Sequence, residues 1–387
     1  MVEEYFVRPL NLPPVLLVLL SNIIRAPEHY LPKMPTKNLS LIFTKIPTGL
    51  PVVGEHITVK DVGFDLDAPA PKNGIVLETL YVSFDPYLRG LLRDPSVPSY
   101  MPPFPLNSPM VAASLAKVVK SDLTGYAEGD IVRHLLPVQE YNVFVAKDGQ
   151  GAAQKPMKID TSKVDDVRHY LGALGMPGLT AYSSLYEIGN PKKGETILVS
   201  SAAGAVGQLV GQLAKHEGLK VLGSVGSDDK LEYITKELGF DGGWNYKKEK
   251  NTKDVIARLT DNKGIDIFYD NVGGEQLEGA IEGLNWHGRI VECGQISQYN
   301  LAPQDRYPRR NTFNLVAKRL LMQGFMVGDE QFGPKWFKEH QEKVSAWLKD
   351  GSFKAKIHED VGMDKAGDAF VGMLKGENFG KAVLKVK

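Results

Sequence analysis

The 387-residue sequence predicts a two-part α/β protein, a mostly antiparallel β domain followed by a doubly wound parallel sheet. Three observations carry that reading. Between Leu39 and Lys147 the apolar runs are short, β-branched and broken by Gly, Pro and Asp, which is the spacing of antiparallel strands. From Thr196 onward the rhythm changes to strand, helix, strand, and such alternation favours a parallel sheet. At the first strand-to-helix junction stands a glycine-bearing turn, Ser200 to Gly207.

The elements follow in order. Residues 1–33 read as an N-terminal extension, or as upstream sequence ahead of a second start at Met34. Their apolar run, Pro13 to Leu20, is far shorter than the roughly 20 residues that span a bilayer. Glu3 and Glu4 stand where a secretory signal carries basic residues. In the β domain, expected over 34–172, strands are predicted at Ser40 to Phe43, Gly74 to Phe84, Met110 to Val119, Asp130 to Leu136 and Tyr141 to Ala146. In the second domain, expected over 173–349, Thr196 to Ser200 is a strand. Val206, Leu209, Val210, Leu213 and Ala214 then recur at helical spacing until Gly218 stops the helix. Leu219 to Val225 is the next strand, and Leu231, Ile234 and Leu238 mark one helix face. Ile265 to Tyr269, Arg289 to Val291 and Leu320 to Val327 are later strands. Trp336, His340, Val344, Trp347 and Leu348 share a face of a long amphipathic helix. Residues 350–387 revert to strand, short helix and strand, and are expected to rejoin the first domain.

Composition narrows the function. The 46 basic and 46 acidic residues cancel, so no global field draws the chain to nucleic acid or to an anionic membrane, and neither is expected as a partner. Arg306, Arg309, Arg310, Lys318 and Arg319 form a local basic stretch that reads as a solvated face. The single cysteine, Cys293, excludes an intramolecular disulfide and any zinc site built on two or more thiolates. It fits a reducing, cytoplasmic setting.

The turn Ser200-Ser201-Ala202-Ala203-Gly204-Ala205-Val206-Gly207 is placed where a dinucleotide pyrophosphate meets free backbone N–H groups and the positive end of a helix. Gly204 allows close approach and Gly207 allows tight helix-to-strand packing, but Ala202 occupies the first glycine position. At the end of the second strand an NAD site carries an acid for the ribose hydroxyls. Here the text is Gly223-Ser224-Val225-Gly226-Ser227, with Lys230 one turn later, which points to NADP(H). An ordinary solvated lysine is the alternative for Lys230. The eight histidines show no paired spacing, so no metal is expected, and carbonyl polarisation falls to a hydroxyl, an amide or the cofactor.

From about Met34 to Lys387 the chain resembles the zinc-independent medium-chain dehydrogenase/reductases, in particular the leukotriene hydroxydehydrogenase/prostaglandin reductases and alkenal double-bond reductases. The segments that carry the resemblance include Phe84-Asp85-Pro86-Tyr87-Leu88-Arg89-Gly90, Gly175 to Tyr182, Ala202 to Gly207, Asn245-Tyr246-Lys247, Asp270 to Gly274, Cys293 to Asn300 and Gly376 to Lys381. The resemblance implies a GroES-like domain, a Rossmann domain, a cleft between them, and a homodimer. It also implies that Lys230 and Tyr246 meet the 2′-phosphate end of NADPH, that Asn271 and Asn378 line the nicotinamide and pyrophosphate regions, and that Thr180 lies beside the cofactor. The cofactor-binding set expected with them is Pro177, Ala203, Gly204, Ala205, Val206, Gly226, Ser227, Cys293, Gly294, Ile296, Phe325, Val327, Gly380 and Tyr299.

Tyr299 matches the tyrosine that acts near the substrate carbonyl or as proton donor. It follows a predicted strand of the parallel sheet, and a phenol is a hydrogen-bond donor at neutral pH. The alternative is a structural tyrosine that holds a cofactor ribose. Tyr87 and Met176 are expected in the substrate pocket, with packing as the alternative for each. Arg89 reads as an ion-pair partner ahead of a substrate clamp. The expected activity is NADPH-dependent reduction of the C=C bond of an α,β-unsaturated ketone or aldehyde. A zinc-free secondary alcohol dehydrogenase and a non-catalytic dinucleotide-binding protein are the competing readings.

Overall fold

In the computed structural model, which describes residues 36–147 and 155–387, the chain folds into three sheets. The expected extension over 1–33 and the boundary at Met34 lie outside the described residues.

The first strands are β1 (Leu39–Phe43), β2 (Ile57–Asp61), β3 (Gly74–Ser83), β4 (Ser108–Pro109), β5 (Val111–Ser121), β6 (Ile131–Pro137), β7 (Tyr141–Val145) and β8 (Met157–Lys158). β1 pairs antiparallel with β2 and β4. β3, β5, β6 and β8 lie side by side, each antiparallel to the next, and β7 adds to β3. A 3-10 turn, Pro86–Leu91, leaves β3 with Pro in its first turn.

The second group runs α1 (Met176–Ser184), β9 (Thr196–Val199), α2 (Gly207–His216), β10 (Lys220–Val225), α3 (Asp228–Glu232), β11 (Gly242–Asn245), α4 (Thr252–Leu259), β12 (Ile265–Asp270), α5 (Gly274–Gly283), β13 (Leu284–Glu292), α6 (Phe313–Ala317) and β14 (Leu321–Gly324). Its six strands are all parallel, in the spatial order β11-β10-β9-β12-β13-β14. Counted from β9 this is the 3-2-1-4-5-6 order of a Rossmann sheet. Ile197, Val199, Val221, Ile267 and Val291 are buried, as strands covered by helices on both faces require. Leu209, Val210, Leu213 and Ala214 of α2 bury the predicted face, and the helix gives out before Gly218, whose φ of +77° suits glycine.

The chain closes with α7 (Gly333–Lys349), β15 (Ile357–Val361), α8 (Ala366–Lys375) and β16 (Lys381–Lys385). β16 lies between β15 and β3, parallel to the first and antiparallel to the second. Phe370 of α8 packs on Phe84, ring centroids 5.6 Å apart, in the core of this half.

One strand ends earlier than expected. The reading of Leu320 to Val327 as strand fails beyond Gly324. There Phe325 turns onto Phe332 (5.1 Å between centroids), and the Val327 carbonyl accepts from Gly333 N–H at 2.9 Å.

Candidate active site

The carboxyl ends of β9, β10, β12, β13 and β14 share one edge of the parallel sheet, where such sheets take their ligands. In the turn after β9, Ser201 has φ +51° and Ala202 donates its N–H to Ser224 O at 2.9 Å. A Cβ on Gly207 would lie 2.3 Å from Ser201 O, so α2 can start this close to the strand only with glycine there. The methyl of Ala202, at the first glycine position, finds its room in the next strand. A Cβ on Gly223 would meet Ala202 Cβ at 2.6 Å. Among the described residues the N–H groups of Ala205 and Val206 have no partner. Together with Ala203 and Gly204 they make a cradle that fits a pyrophosphate.

Gly226 and Ser227 follow β10. Ser227 Oγ caps α3 by accepting from Lys230 N–H at 3.3 Å, and the Tyr246 hydroxyl comes 3.0 Å from where a Gly226 Cβ would be. Lys230 Nζ donates to Gly376 O at 2.8 Å. Burial first, and the nearby Lys247 second, lower its pKa. The adjacent acid does not answer these lysines: Asp228 accepts from Asn245 Nδ2 at 2.9 Å and pairs with Lys248. Two lysines and a phenol beside a committed acid fit a 2′-phosphate. Lys247 was not among the expected contacts, although it stands in the Asn245-Tyr246-Lys247 run.

Asn271 Nδ2 donates to Ser200 O and its N–H to Ser200 Oγ, both at 2.8 Å. Beneath it lies Asp270, which sequence reasoning left out of the site. Its buried carboxylate accepts from Ser200 Oγ, Val272 N–H and Gly273 N–H, each at 2.9 Å, and so ties the turn after β9 to the turn after β12. Burial, and then the charge of Glu292, push its pKa up to about 7. The signal for it was an acid at the end of an apolar strand, followed by two glycines. Cys293 and Gly294 donate N–H to Asp270 O at 2.9 and 3.1 Å, and Ile296 donates to Asn271 O at 3.2 Å. Burial pushes the Cys293 thiol up to about 12, which removes it as a nucleophile.

The Tyr299 hydroxyl accepts from Gln295 N–H at 3.1 Å. Burial pushes its pKa up to about 12, so the phenol keeps its proton. Asn378 Nδ2 donates to Gly380 O at 2.7 Å, and Gly380 N–H donates to Ala203 O at 3.1 Å, which lays the C-terminal segment on the glycine turn. In α1, Met176 and Pro177 form the first turn and Thr180 Oγ1 lies 3.4 Å from Met176 Sδ. No hydrogen bond among the described residues ties these three, or Tyr87, to the glycine turn. Burial first, and the phenol of Tyr100 as a lesser cause, raise the pKa of both Tyr87 and Tyr299. Tyr100 lies in the loop between the 3-10 turn Pro86–Leu91 and β4.

Arg89 corrects an expectation. Among the described residues it has no ion-pair partner: Nε donates to Asn300 Oδ1 at 2.9 Å, and Nη2 to Gly49 O at 2.7 Å and Pro47 O at 3.3 Å. The nearby acid, Asp85, is held instead by Lys381 at 3.1 Å.

Comparison with known proteins agrees with this geometry. Residues 41–152 match the family described as the N-terminal domain of oxidoreductase, and residues 205–345 the family described as zinc-binding dehydrogenase. The chain is 49% identical over 352 residues to the NADP-dependent oxidoreductase RED1 of Cochliobolus heterostrophus, covering 90% of this chain and 98% of that protein. The chain belongs to the medium-chain dehydrogenase/reductase family. This medium-chain dehydrogenase/reductase is also 38% identical to the NADP(+)-dependent 2-alkenal reductase of Nicotiana tabacum, over 90% of this chain and 97% of that one. With the crystal structure of CurA from Vibrio vulnificus in complex with NADPH it shares 32% identity and a TM-score of 0.80, over 90% of this chain and 99% of that one. It is an NADP-dependent oxidoreductase. Although one family description names zinc, the described residues contain no group of three His, Cys, Asp or Glu side chains able to hold a metal, so zinc has no ligand set among them. No helix among the described residues is long and apolar enough to cross a membrane.

Proposed function

We propose that this medium-chain dehydrogenase/reductase is an ene-reductase for α,β-unsaturated ketones and aldehydes. The observation that carries the reading is the Tyr299 phenol. It is half-buried, it stays protonated, and it accepts from Gln295 N–H, which leaves its own hydrogen uncommitted. NADPH, when bound, supplies a hydride for the β-carbon of the substrate. The electron pair of the C=C bond then moves toward the α-carbon and the carbonyl oxygen. Tyr299 donates its hydrogen to that developing enolate, and Tyr299 or water protonates the α-carbon. The glycine turn with Gly380, and Lys230 with Lys247 and Tyr246, hold the two ends of the dinucleotide. Thr180, Asn271, Asn378, Phe325 and Val327 line its length, and Tyr87 with Met176 walls the substrate side. The resemblance to a 2-alkenal reductase supports the choice of substrate class.

The test is NADPH oxidation with a panel of enals, enones and saturated ketones. Turnover of the conjugated compounds alone is expected. Turnover of saturated ketones alone would replace the reading with a carbonyl reductase, and no turnover with a binding protein.

We also propose a cytoplasmic homodimer. β14 ends the parallel sheet, and beside it stand Phe313 at 75%, Val316 at 70% and Leu321 at 46% exposure. An open edge strand flanked by apolar side chains favours pairing with a second copy. Sedimentation of the wild type at twice the monomer mass, and of Leu321→Lys at the monomer mass, is the expected result.

A further inference from the structure

Arg89 is a buried cation whose partners among the described residues are all neutral. Its exposure is 8%, and burial holds its guanidinium below the usual arginine range. Burying a charge without a counter-ion is costly, and hydrogen bonds to neutral acceptors offset that cost only in part. The acid four residues earlier, Asp85, accepts from Ser83 Oγ at 2.5 Å and pairs with Lys381, so it does not answer Arg89.

What Arg89 makes instead is a bond across the cleft. It belongs to the 3-10 turn after β3, whereas Asn300 belongs to the loop after β13 and directly follows Tyr299. Among the described residues, the Arg89 to Asn300 bond is the one side-chain hydrogen bond joining residues 294–301 to the antiparallel half. From its own side Tyr299 is held by local bonds: its N–H donates to Ile296 O at 3.4 Å, and its hydroxyl accepts from Gln295 N–H at 3.1 Å. The guanidinium fork suits this task. Nη2 grips the carbonyls of Pro47 and Gly49 while Nε points to Asn300, and a lysine ammonium cannot hold that planar pattern.

We propose that Arg89 is a positioning residue, which sets Tyr299 in the cleft by holding Asn300. The kinetic part of the test rests on the ene-reductase reading, and the spectroscopic part does not. The experiment uses the full chain labelled with 3-fluorotyrosine and saturated with NADPH, with the Tyr299 fluorine resonance assigned by its loss in Tyr299→Phe. Asn300→Ala removes the cleft bond and leaves Arg89 its two carbonyls. Arg89→Lys keeps the charge and removes the fork. In both, the Tyr299 resonance is expected to shift and broaden while the resonances of distant tyrosines stay in place. With an enone, kcat is expected to fall on the order of 10-fold to 100-fold, as for a misplaced reacting group, with the NADPH dissociation constant within about 2-fold. Arg89→Lys combined with Tyr299→Phe is expected to lose no more than Tyr299→Phe alone.

An unmoved Tyr299 resonance would overturn the proposal, and so would losses that multiply in the double variant. Movement spread over all tyrosines would also overturn it, because Arg89 would then support the fold at large. A moved Tyr299 resonance in a protein that reduces no enone would uphold the positioning role and refute the assigned reaction.

Discussion

A phenol donates only while it holds its proton, and burial keeps the Tyr299 proton in place across the whole neutral range. Tyr299→Phe removes the donor and little volume. If the hydroxyl acts on the enolate, kcat falls by about 10²-fold to 10³-fold, the usual loss for one oxyanion donor, while NADPH binding stays near normal. Stopped-flow hydride transfer at saturating NADPH checks this, and an unchanged rate with weaker cofactor binding would assign the hydroxyl to the cofactor instead. At the other end of the cleft, Lys230 now donates to Gly376 O and a phosphate offers it a stronger acceptor. Lys230→Ala should weaken NADPH binding by about 1.5 to 3 kcal/mol and NADH binding far less. Titration of both cofactors by fluorescence measures the difference, and equal losses would contradict a phosphate contact.

At the scale of elements, Lys381 opens β16 and points its ammonium at Phe84 O (2.6 Å), Ala382 O (3.0 Å) and Asp85 Oδ1 (3.1 Å). Its neighbour Gly380 meets the glycine turn, so one short segment fastens that turn to the one that carries Tyr87 and Arg89. Lys381→Met leaves Asp85 buried and unpaired, and stability should fall by roughly 3 to 5 kcal/mol, read as a lower urea midpoint. Little of this was legible beforehand. The strand rhythm and the turn at Ala202 to Gly207 can be read because each depends on neighbours in sequence. Asp85 with Lys381, and Arg89 with Asn300, depend on partners that only the closed fold brings together. β11 escaped the strand pattern because it begins Gly242-Gly243, and a Cβ on Gly243 would lie 2.4 Å from Gly223 O. Ala202 looked like a defect in the glycine pattern, since its space is made at Gly223 on a different strand.

In the molecule as a whole, His340 joins the long helix α7 to the chain entering α1. Its Nε2 bonds Ala173 O at 2.9 Å, and Gln341 Nε2 donates to its Nδ1 at 3.1 Å, an arrangement that suits only the neutral ring. Burial lowers its pKa to about 4. Free histidine titrates near 6.5, so the unfolded chain takes up this proton first as the medium is acidified. The stabilisation is therefore complete above about pH 6.5 and is lost as pH falls toward 4, by roughly 3 kcal/mol. Urea unfolding at several pH values should show that slope, and His340→Gln should flatten it.

The placement of β16 also bears on how the polypeptide is made. Lys381 meets Phe84, which left the ribosome 297 residues earlier. The strands of the parallel sheet come from one continuous stretch, Thr196 to Gly324, and can associate while translation continues. The Tyr81–Ser83 end of β3 must wait for β16, and bridging so long an interval is entropically slow. A nascent chain halted before Lys381 carries a completed Rossmann sheet beside an open half-strand, the kind of edge that captures strands from other chains. Translational stalling late in the message should therefore yield aggregates that retain a folded parallel sheet.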